Sequence, residues 1–435
     1  MGTNTYAITS SASNVRIVGS GGPNRSIIQN TSTTADVFYV TGNIWSFGNF
    51  AIIPSTNNNT CGAALHLSGS PGMYWIRNMI IDHQYIGVLL DGGANQVSVF
   101  ISDVIINDSN YRGIQVTNFG GDFFMDEFEI QGAGVNNVSV GIEIQSGDTF
   151  LLANGNIGAT GYQGILLDPQ SGMVLTDVRT ANVQIDSSQN AEGLLIDGSS
   201  AGVGYLERVY LDNCWVSTHH TYGIHMLYVR EVQVVGCTVL TNQLHGIYLD
   251  NVVSGIVISG CTICANGQSG TGYAGIYDTN QNGVLIVGNR IGSAYINGSP
   301  DNNHQHYGVW LHGSYLNAVQ VSDNDVTGNV KPAGILVDGG ATAICTNNRG
   351  YNPQGFAAPQ WAPATSITNT NPYRVRVYIE TSATGTTFTV WDPAGNGSPN
   401  GFNLQPSVAI EVTLDPGATI KFSSSTGLTL NWYGV

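Results

Sequence analysis

Apolar residues along this chain alternate with polar ones in short bursts, without the spacing of helical turns. A four-residue unit, Gly-apolar-any-apolar, reads GVLL at 87–90, GIQV at 113–116, GIEI at 141–144, GILL at 164–167 and GLLI at 193–196. It continues as GIHM at 223–226, GIYL at 246–249, GIYD at 275–278, GVWL at 308–311 and GILV at 334–337, about every 27 residues. Period two predicts strands, with the two apolar residues inward and the variable one outward. A second burst follows each unit, as in VQVVGCTVLTN (232–242), IVISGCTICANG (256–267), VLIVGNRIGSA (284–294) and VQVSDNDVTGN (319–329). In that register Cys214, Cys237, Cys261, Asn289 and Asn324 are equivalent. Two or three strands per repeat are too few for a four-stranded propeller blade, and the L-x-x-L-x-L signature of leucine-rich repeats is missing. The remaining solution is a parallel β-helix with one repeat per coil, in which each strand pairs with its counterpart a rung away, roughly 4.8 Å. Residues 10 to 350 then form about a dozen rungs and a rod roughly 60 Å long.

The pattern changes near residue 352. Residues 352–372 (NPQGFAAPQWAPATSITNTNP) read as a linker rich in Pro, Ala and Thr. After it, YRVRVYIET, FTVWD, AIEVTLDPGATIKFSS and LTLNWYGV alternate with period two between D-P-G and N-G turns. The expected fold class is all-β: a parallel β-helix over 1–351, a linker over 352–372, and a small antiparallel β domain over 373–435. The last unit is expected to cap the open final rung and to trimerise the chain; Trp391, Trp432 and Tyr433 offer it an alternative role in sugar binding.

Composition agrees. Of 435 residues, 56 are Gly and 42 Asn, and only 10% are charged. That excludes a disordered chain, a collagen and a helical bundle. Thirteen Lys and Arg against 29 Asp and Glu leave a net charge of −16, which argues against nucleic acid and anionic membranes as partners. No apolar run of 18 residues exists to insert into a membrane. The first residues lack the basic and apolar regions of a secretory signal. The six cysteines, including the Cys261-x-x-Cys264 pair, are expected as small buried side chains rather than redox or metal groups.

The G-I-x-L strands followed by I-x-G-N-x-I resemble the right-handed parallel β-helix of pectate-lyase-like proteins. VTLDPGATIKF followed by LNWYGV is similar to the ending of bacteriophage tail spikes and fibres. The whole arrangement resembles a phage tailspike. The resemblance implies a homotrimer on the virion tail, outside the cell, that binds and usually cleaves a bacterial surface polysaccharide, capsule or O-antigen. It carries over no catalytic residue. Residue 1 lies almost at the first coil, which implies that the region joining baseplate or tail is missing from the N-terminus.

The outward column provides the candidate chemistry. It runs Leu89, Gln115, Glu143, Leu166, Leu195, His225, Tyr248, Tyr277, Trp310, Leu336, with Tyr85, Tyr111, Tyr162, Tyr222, His245, Tyr273, His306 and Tyr307 just before the strands. An aromatic strip suits the apolar faces of sugar rings, so His225, Tyr248, Tyr277, Trp310, Tyr222, His245 and Tyr273 are the expected substrate-binding residues; packing against another subunit is the competing use. Asp91, Asp168, Asp197, Asp250 and Asp338 stand four residues after five of the ten glycines. As a column they read mainly as turn caps. As catalytic candidates, Asp168 and Asp197 lie on adjacent rungs, roughly 5 Å apart and suited to a retaining glycosidase, whereas Asp197 and Asp250 are two rungs apart, roughly 9.6 Å. Glu192, just before Gly193, is expected to face the same groove, and Glu143 to project from the outer face directly. Glu207–Arg208 and Arg230–Glu231 are expected to form two cross-rung ion pairs. The run Asp122, Asp126, Glu127, Glu129 reads as a solvated edge, a cation site or part of the groove. His219, His220, His225 and His245 are expected to face the groove and its solvent rather than to form a metal cluster, which is the competing reading. No metal or cofactor is expected. Three functions compete: glycoside hydrolase, polysaccharide lyase and non-cleaving adhesin. With only two lysines, Lys331 and Lys421, holding an acidic sugar for a lyase falls to Arg112, Arg179 or Arg290, which weakens that reading without removing it.

Overall fold

The computed structural model describes residues 6–434, except 58, 70–71, 133–138, 201–205, 280–282, 293–294, 297–298, 301–303, 314–318, 332–333, 342, 352–365, 370–373, 385, 398–401, 407–409 and 425. Thirteen parallel strands, from Tyr6–Ser10 to Ile335–Asp338, stack in sequence order into one sheet, here sheet 1. At one strand spacing per rung the stack is roughly 60 Å long. A second wall, sheet 2, closes the coil.

Sheet 2 begins as long bent strands, among them Gly72–Asp82, Phe119–Gln131 and Leu175–Asp186. Later coils split it into pairs such as Leu206–Asp212 with Trp215–Ser217, and Arg230–Val235 with Thr238–Leu240. Its corner is made by one stacked position with positive φ: Asn49, Asn78, Asp103, Glu127, Asn154, Asn182, Asn213, Gly236, Gly260, Gly288, Asp323 and Asn347. Gly, Asn and Asp enter this region at the lowest cost, which explains the composition. Stacked amides bond along the corner, Asn78 Nδ2 to Asn49 Oδ1 at 2.8 Å and Asn213 Nδ2 to Asn182 Oδ1 at 2.7 Å.

The next residue points inward. Here the equivalence of Cys214, Cys237, Cys261, Asn289 and Asn324 holds: Cys261 N donates to Asn289 Oδ1 at 2.8 Å and Asn289 Nδ2 to Asn324 Oδ1 at 2.9 Å. All six cysteines are free thiols; five are buried and Cys61 is half-buried. Elsewhere the interior is Ile, Leu, Val and Phe, many with no exposed area. Each such side chain contributes about 1.5–3 kcal/mol on burial.

After the coil, antiparallel strands form two small sheets. One orders Ser366–Thr368, Thr419–Phe422, Thr387–Trp391 and Phe402–Asn403; the other orders Ile410–Leu414, Val375–Thr381 and Leu428–Gly434. Ser366–Thr368 lies in the stretch expected as linker, yet pairs with Thr419–Lys421, so strand structure begins before residue 373. Residues 352–365 of that stretch, and the side chains of Trp432 and Tyr433, lie outside the described residues.

Candidate functional site

The outward column of sheet 1 is continuous in register. Leu89 pairs with Gln115, then follow Glu143, Leu166, Leu195, His225, Tyr248, Tyr277, Trp310 and Leu336. Midway along it, Tyr111, Arg112, Tyr162, Gln163, Asp168 and Asp197 line a cleft of about 340 Å³. Asp168 follows its strand and Asp197 ends the next, with Leu167 opposite Ile196, and both are half-buried. Burial, then the charge of Asp197, then that of Glu143 push the Asp168 carboxyl above the usual range. Its Oδ1 is buried with no hydrogen-bond partner among the described residues. Asp197 Oδ1 accepts the Ser199 N–H at 2.8 Å, the capping role anticipated for this column.

The other expected acids separate. Glu143 sits on the outer face but is 4% exposed. Arg112 Nε donates to its Oε2 at 2.7 Å, Arg112 Nη2 to Oε1 at 3.3 Å and Gln115 Nε2 to Oε2 at 2.8 Å. Arg112 itself lies over Tyr111, 3.8 Å from the ring centroid. Glu143 is therefore a fixed, paired charge at the edge of the cleft. Glu192 lies toward the aromatic end: Gln163 Nε2 donates to it at 3.1 Å, and His225 Nδ1 is 3.4 Å from Oε1. Burial works to raise the Glu192 carboxyl, but the bonds from His225, backbone and Gln163 outweigh it and hold it low. Asp250 is engaged by Asn251 Nδ2 at 2.9 Å and Thr279 Oγ1 at 3.3 Å.

The seven expected aromatic and histidine residues come together as one ladder. Ring centroids are 4.7 Å apart for His225 and Tyr248, 5.3 Å for Tyr248 and Tyr277, and 4.7 Å for Tyr277 and Trp310. Tyr222 packs at 4.9 Å from His225, and His245 at 4.4 Å from Tyr277 and 5.2 Å from Tyr273. Trp310 Nε1 donates to Asp338 Oδ1 at 3.2 Å, and His312 Nδ1 lies 2.6 Å from the same oxygen. The rings pack on one another, and all but His245 are half-buried. Burial pushes the Tyr248 hydroxyl up to about 12.

Three expectations need correction. His219 and His245 do not face solvent. His219 lies inside the coil, where Ser188 N–H donates to its Nδ1 at 3.1 Å and burial brings it to about 4. His245 is buried within the ladder, accepts the Ala274 N–H at Nδ1 at 3.0 Å, and is brought by burial to about 3. The Glu207–Arg230 pair forms, but Arg208 pairs with Glu207 and, at 3.1 Å, with Asp177. Positive φ at Asp177, Arg208 and Glu231 marks a second bend, where Arg208 turns toward Asp177 on the adjacent coil.

The sequence reading missed Asp36–His66–Asp91 on the same face. His66 Nδ1 is 2.7 Å from Asp36 Oδ2, and Nε2 is 2.9 Å from Asp91 Oδ2. Burial works to lower the imidazole, but the two carboxylates hold it up at about 9. His66 falls on the outward column at the strand Ala63–Leu67, whose AALHL lacks the initial Gly of the repeat. As for metal ligands, Asp82, His83 and Asp108 at a corner place donor atoms within 4.8 Å of one another.

A family model described as "Right handed beta helix region" matches residues 141–304 and 192–349. No curated protein matches the chain. Among solved structures, the A-module of the Azotobacter vinelandii mannuronan C-5 epimerase AlgE6 is similar, with 12% identity, 79% of this chain and 91% of that one covered, and a TM-score of 0.50. Tailspike protein 2 of the Escherichia coli O157:H7 bacteriophage CAB120 is similar with 12% identity, 95% and 65% covered, and a TM-score of 0.42. Geobacillus virus E2 ORF18 gives 12% identity, 58% and 54% covered, and 0.38. Strand register, corner chemistry and family model agree: this chain is a right-handed parallel β-helix protein.

Proposed function

We propose that the chain is a tailspike-type depolymerase that binds a bacterial surface polysaccharide along sheet 1 and hydrolyses it at the Asp168–Asp197 cleft, working as a virion-borne homotrimer. The observation that carries this reading is the unequal acid pair: two carboxyls on adjacent rungs, one held toward its protonated form. Hydrolysis needs one acid to protonate the departing glycosidic oxygen and one carboxylate to attack or to activate water. Asp168, whose carboxyl is raised by burial and by Asp197, is the general acid. Asp197 is the nucleophile, since a rung spacing of roughly 5 Å fits retention. Glu143, held by Arg112, adds its charge to that of Asp197 in raising Asp168. The Tyr222-to-Trp310 ladder holds adjoining sugars by their apolar faces. A lyase reading is disfavoured because Arg112, the cation lining the cleft, is committed to Glu143.

The test is digestion of a panel of capsular and O-antigen polysaccharides, read for new reducing ends and for unsaturated-uronate absorbance. Reducing ends alone are expected. Asp168→Asn and Asp197→Asn should each lower the rate by about 10²–10⁴-fold while binding and melting temperature persist. Absorbance from cleaved uronates would overturn hydrolysis. A glycan that binds and is never cut would leave an adhesin, with Asp197 only the turn cap its bond to Ser199 makes it.

A further inference from the structure

Two further clefts lie on the other wall of the coil. Leu151, Arg179, Tyr210, Asp212, Gln233 and Val235 line one of about 480 Å³ on the outer face of sheet 2. Phe124, Leu151, Asp177 and Arg179 line another of about 390 Å³. Both include Leu151 and Arg179, so they meet there. The strand register is continuous beneath them: Phe124, Leu151, Arg179, Tyr210 and Gln233 occupy successive coils. Arg179 is exposed, and its guanidinium carbon lies 5.1 Å from the Tyr210 ring centroid. Asp177 stands two residues earlier in the chain, but Arg208 engages that carboxylate at 3.1 Å. Among the described residues Arg179 forms no ion pair.

We propose that this groove is a second, non-cleaving glycan site that takes a carboxylate-bearing sugar. In a chain of net charge −16, Arg179 is a cation at the meeting of two clefts that no carboxylate of the chain neutralises, so its anion comes from outside. The planar guanidinium matches a carboxylate with two parallel N–H···O bonds. Tyr210 beside it, and Phe124 two coils away, offer ring faces to the apolar sides of sugars. Gln233 and Asp212, both exposed, supply donors and acceptors for hydroxyls. Charge narrows the class. One guanidinium balances one carboxylate, whereas Asp177 and Asp212 along the same groove repel a doubly charged phosphate. Arg179 stands on a different sheet from the strands that carry Asp168 and Asp197, so it holds an acidic sugar without assisting elimination at that cleft. From the proposed function the site takes only that the chain meets a bacterial polysaccharide, and it needs no cleavage.

Biolayer interferometry on immobilised capsular polysaccharides tests it, with uronate-bearing, phosphodiester-linked and neutral glycans side by side. The full chain is compared with Arg179→Gln and with Arg349→Gln, which removes the same charge from an exposed position several coils away. Wild type should hold uronate-bearing glycans. Arg179→Gln should weaken that hold about tenfold at low salt and less at high salt, and should leave neutral glycans unchanged. Arg349→Gln should behave as wild type. Uronate-bearing glycans that wild type never holds, that Arg179→Gln holds as well, or that Arg349→Gln loses equally, would overturn the site. Retention that follows phosphodiesters would overturn the carboxylate. Reducing ends are read on the same glycans. Cleavage without Arg179-dependent retention would overturn this inference alone, and Arg179-dependent retention without cleavage would overturn the hydrolase alone.

Discussion

The two outer faces share one backbone. Each is a stack of parallel strands at the same spacing, and each presents one outward column per coil. On sheet 1 that column includes His66, Gln115, Glu143, His225, Tyr248, Tyr277 and Trp310. On sheet 2 the corresponding column, from Trp75 to Ile344, is mostly apolar and carries one charge, Arg179, which is exposed. A repeated coil turns one side-chain choice into a property of a whole face. Sheet 1 takes the harder option: it buries charges on the outside of the molecule, where pairing must offset lost hydration. Sheet 2 largely avoids the problem, because the one charge in its column stays in solvent.

The comparison breaks most visibly at Arg112. If sheet 1 is a platform of buried paired charges, Arg112→Met strands the Glu143 carboxylate and should destabilise the fold by about 3–5 kcal/mol in denaturant titrations. Arg112→Met combined with Glu143→Leu should recover most of that loss. Arg179, outward and exposed on sheet 2, is the counterpart: Arg179→Met should change stability by less than about 0.5 kcal/mol. Equal losses at both positions would erase the distinction between the faces.

A smaller effect separates them by pH. The His66 imidazole is raised from 6.5 to about 9 by Asp36 and Asp91 against the opposing effect of burial. The folded state therefore holds a proton that the unfolded chain gives up. Its stabilisation is complete below about pH 6.5 and is lost as pH rises through about 9, a span of roughly 3 kcal/mol. Thermal unfolding from pH 6 to 10 should show that decline in wild type and a flatter profile in His66→Gln. A decline that survives the substitution would place its origin elsewhere.

Much of this architecture is written at fixed offsets in the chain. The outward column of sheet 1 follows from counting one residue past Gly-apolar, because a strand allows only two directions for a side chain. The Cys–Asn equivalence follows for the same reason, and in the structure it lies beside the positive-φ corner of Asn, Asp and Gly. What counting could not give is the direction a long side chain takes once outside. Glu143 reads as an exposed acid, but Arg112, one coil earlier and three residues from Gln115, folds over it. Asp36 and Asp91 belong to different coils and flank His66 only after stacking, so no local motif contains the triad. The columns of sheet 2 were equally countable, but a strip of Phe, Leu and Val reads as core until its outward direction is known. His219 and His245 show the reverse error: polar residues near a groove enter it or the interior according to which backbone N–H needs an acceptor.

A gain of about 1–2 kcal/mol carries the contrast inside the coil. Asp278 ends the unit GIYD and points inward between Leu249 and Leu311, fully buried, with neither carboxyl oxygen bonded among the described residues. Burial raises its carboxyl well above the ordinary range. The folded state keeps this proton, so Asp278 is best tolerated below about pH 3.8 and costs stability as pH rises from there toward its folded pKa. Asp278→Leu restores the apolar column and should raise stability at pH 7 by about 1–2 kcal/mol, with a smaller gain at pH 4. The interior of sheet 2 solves its polar positions differently, pairing Asn289, Asn324 and Asn348 along the stack, so Asn324→Leu should lower stability by a similar amount. If Asp278→Leu destabilises at both pH values, the carboxyl has a partner in the folded protein, and sheet 1 would be as fully paired inside as it is at Arg112 and Glu143 outside.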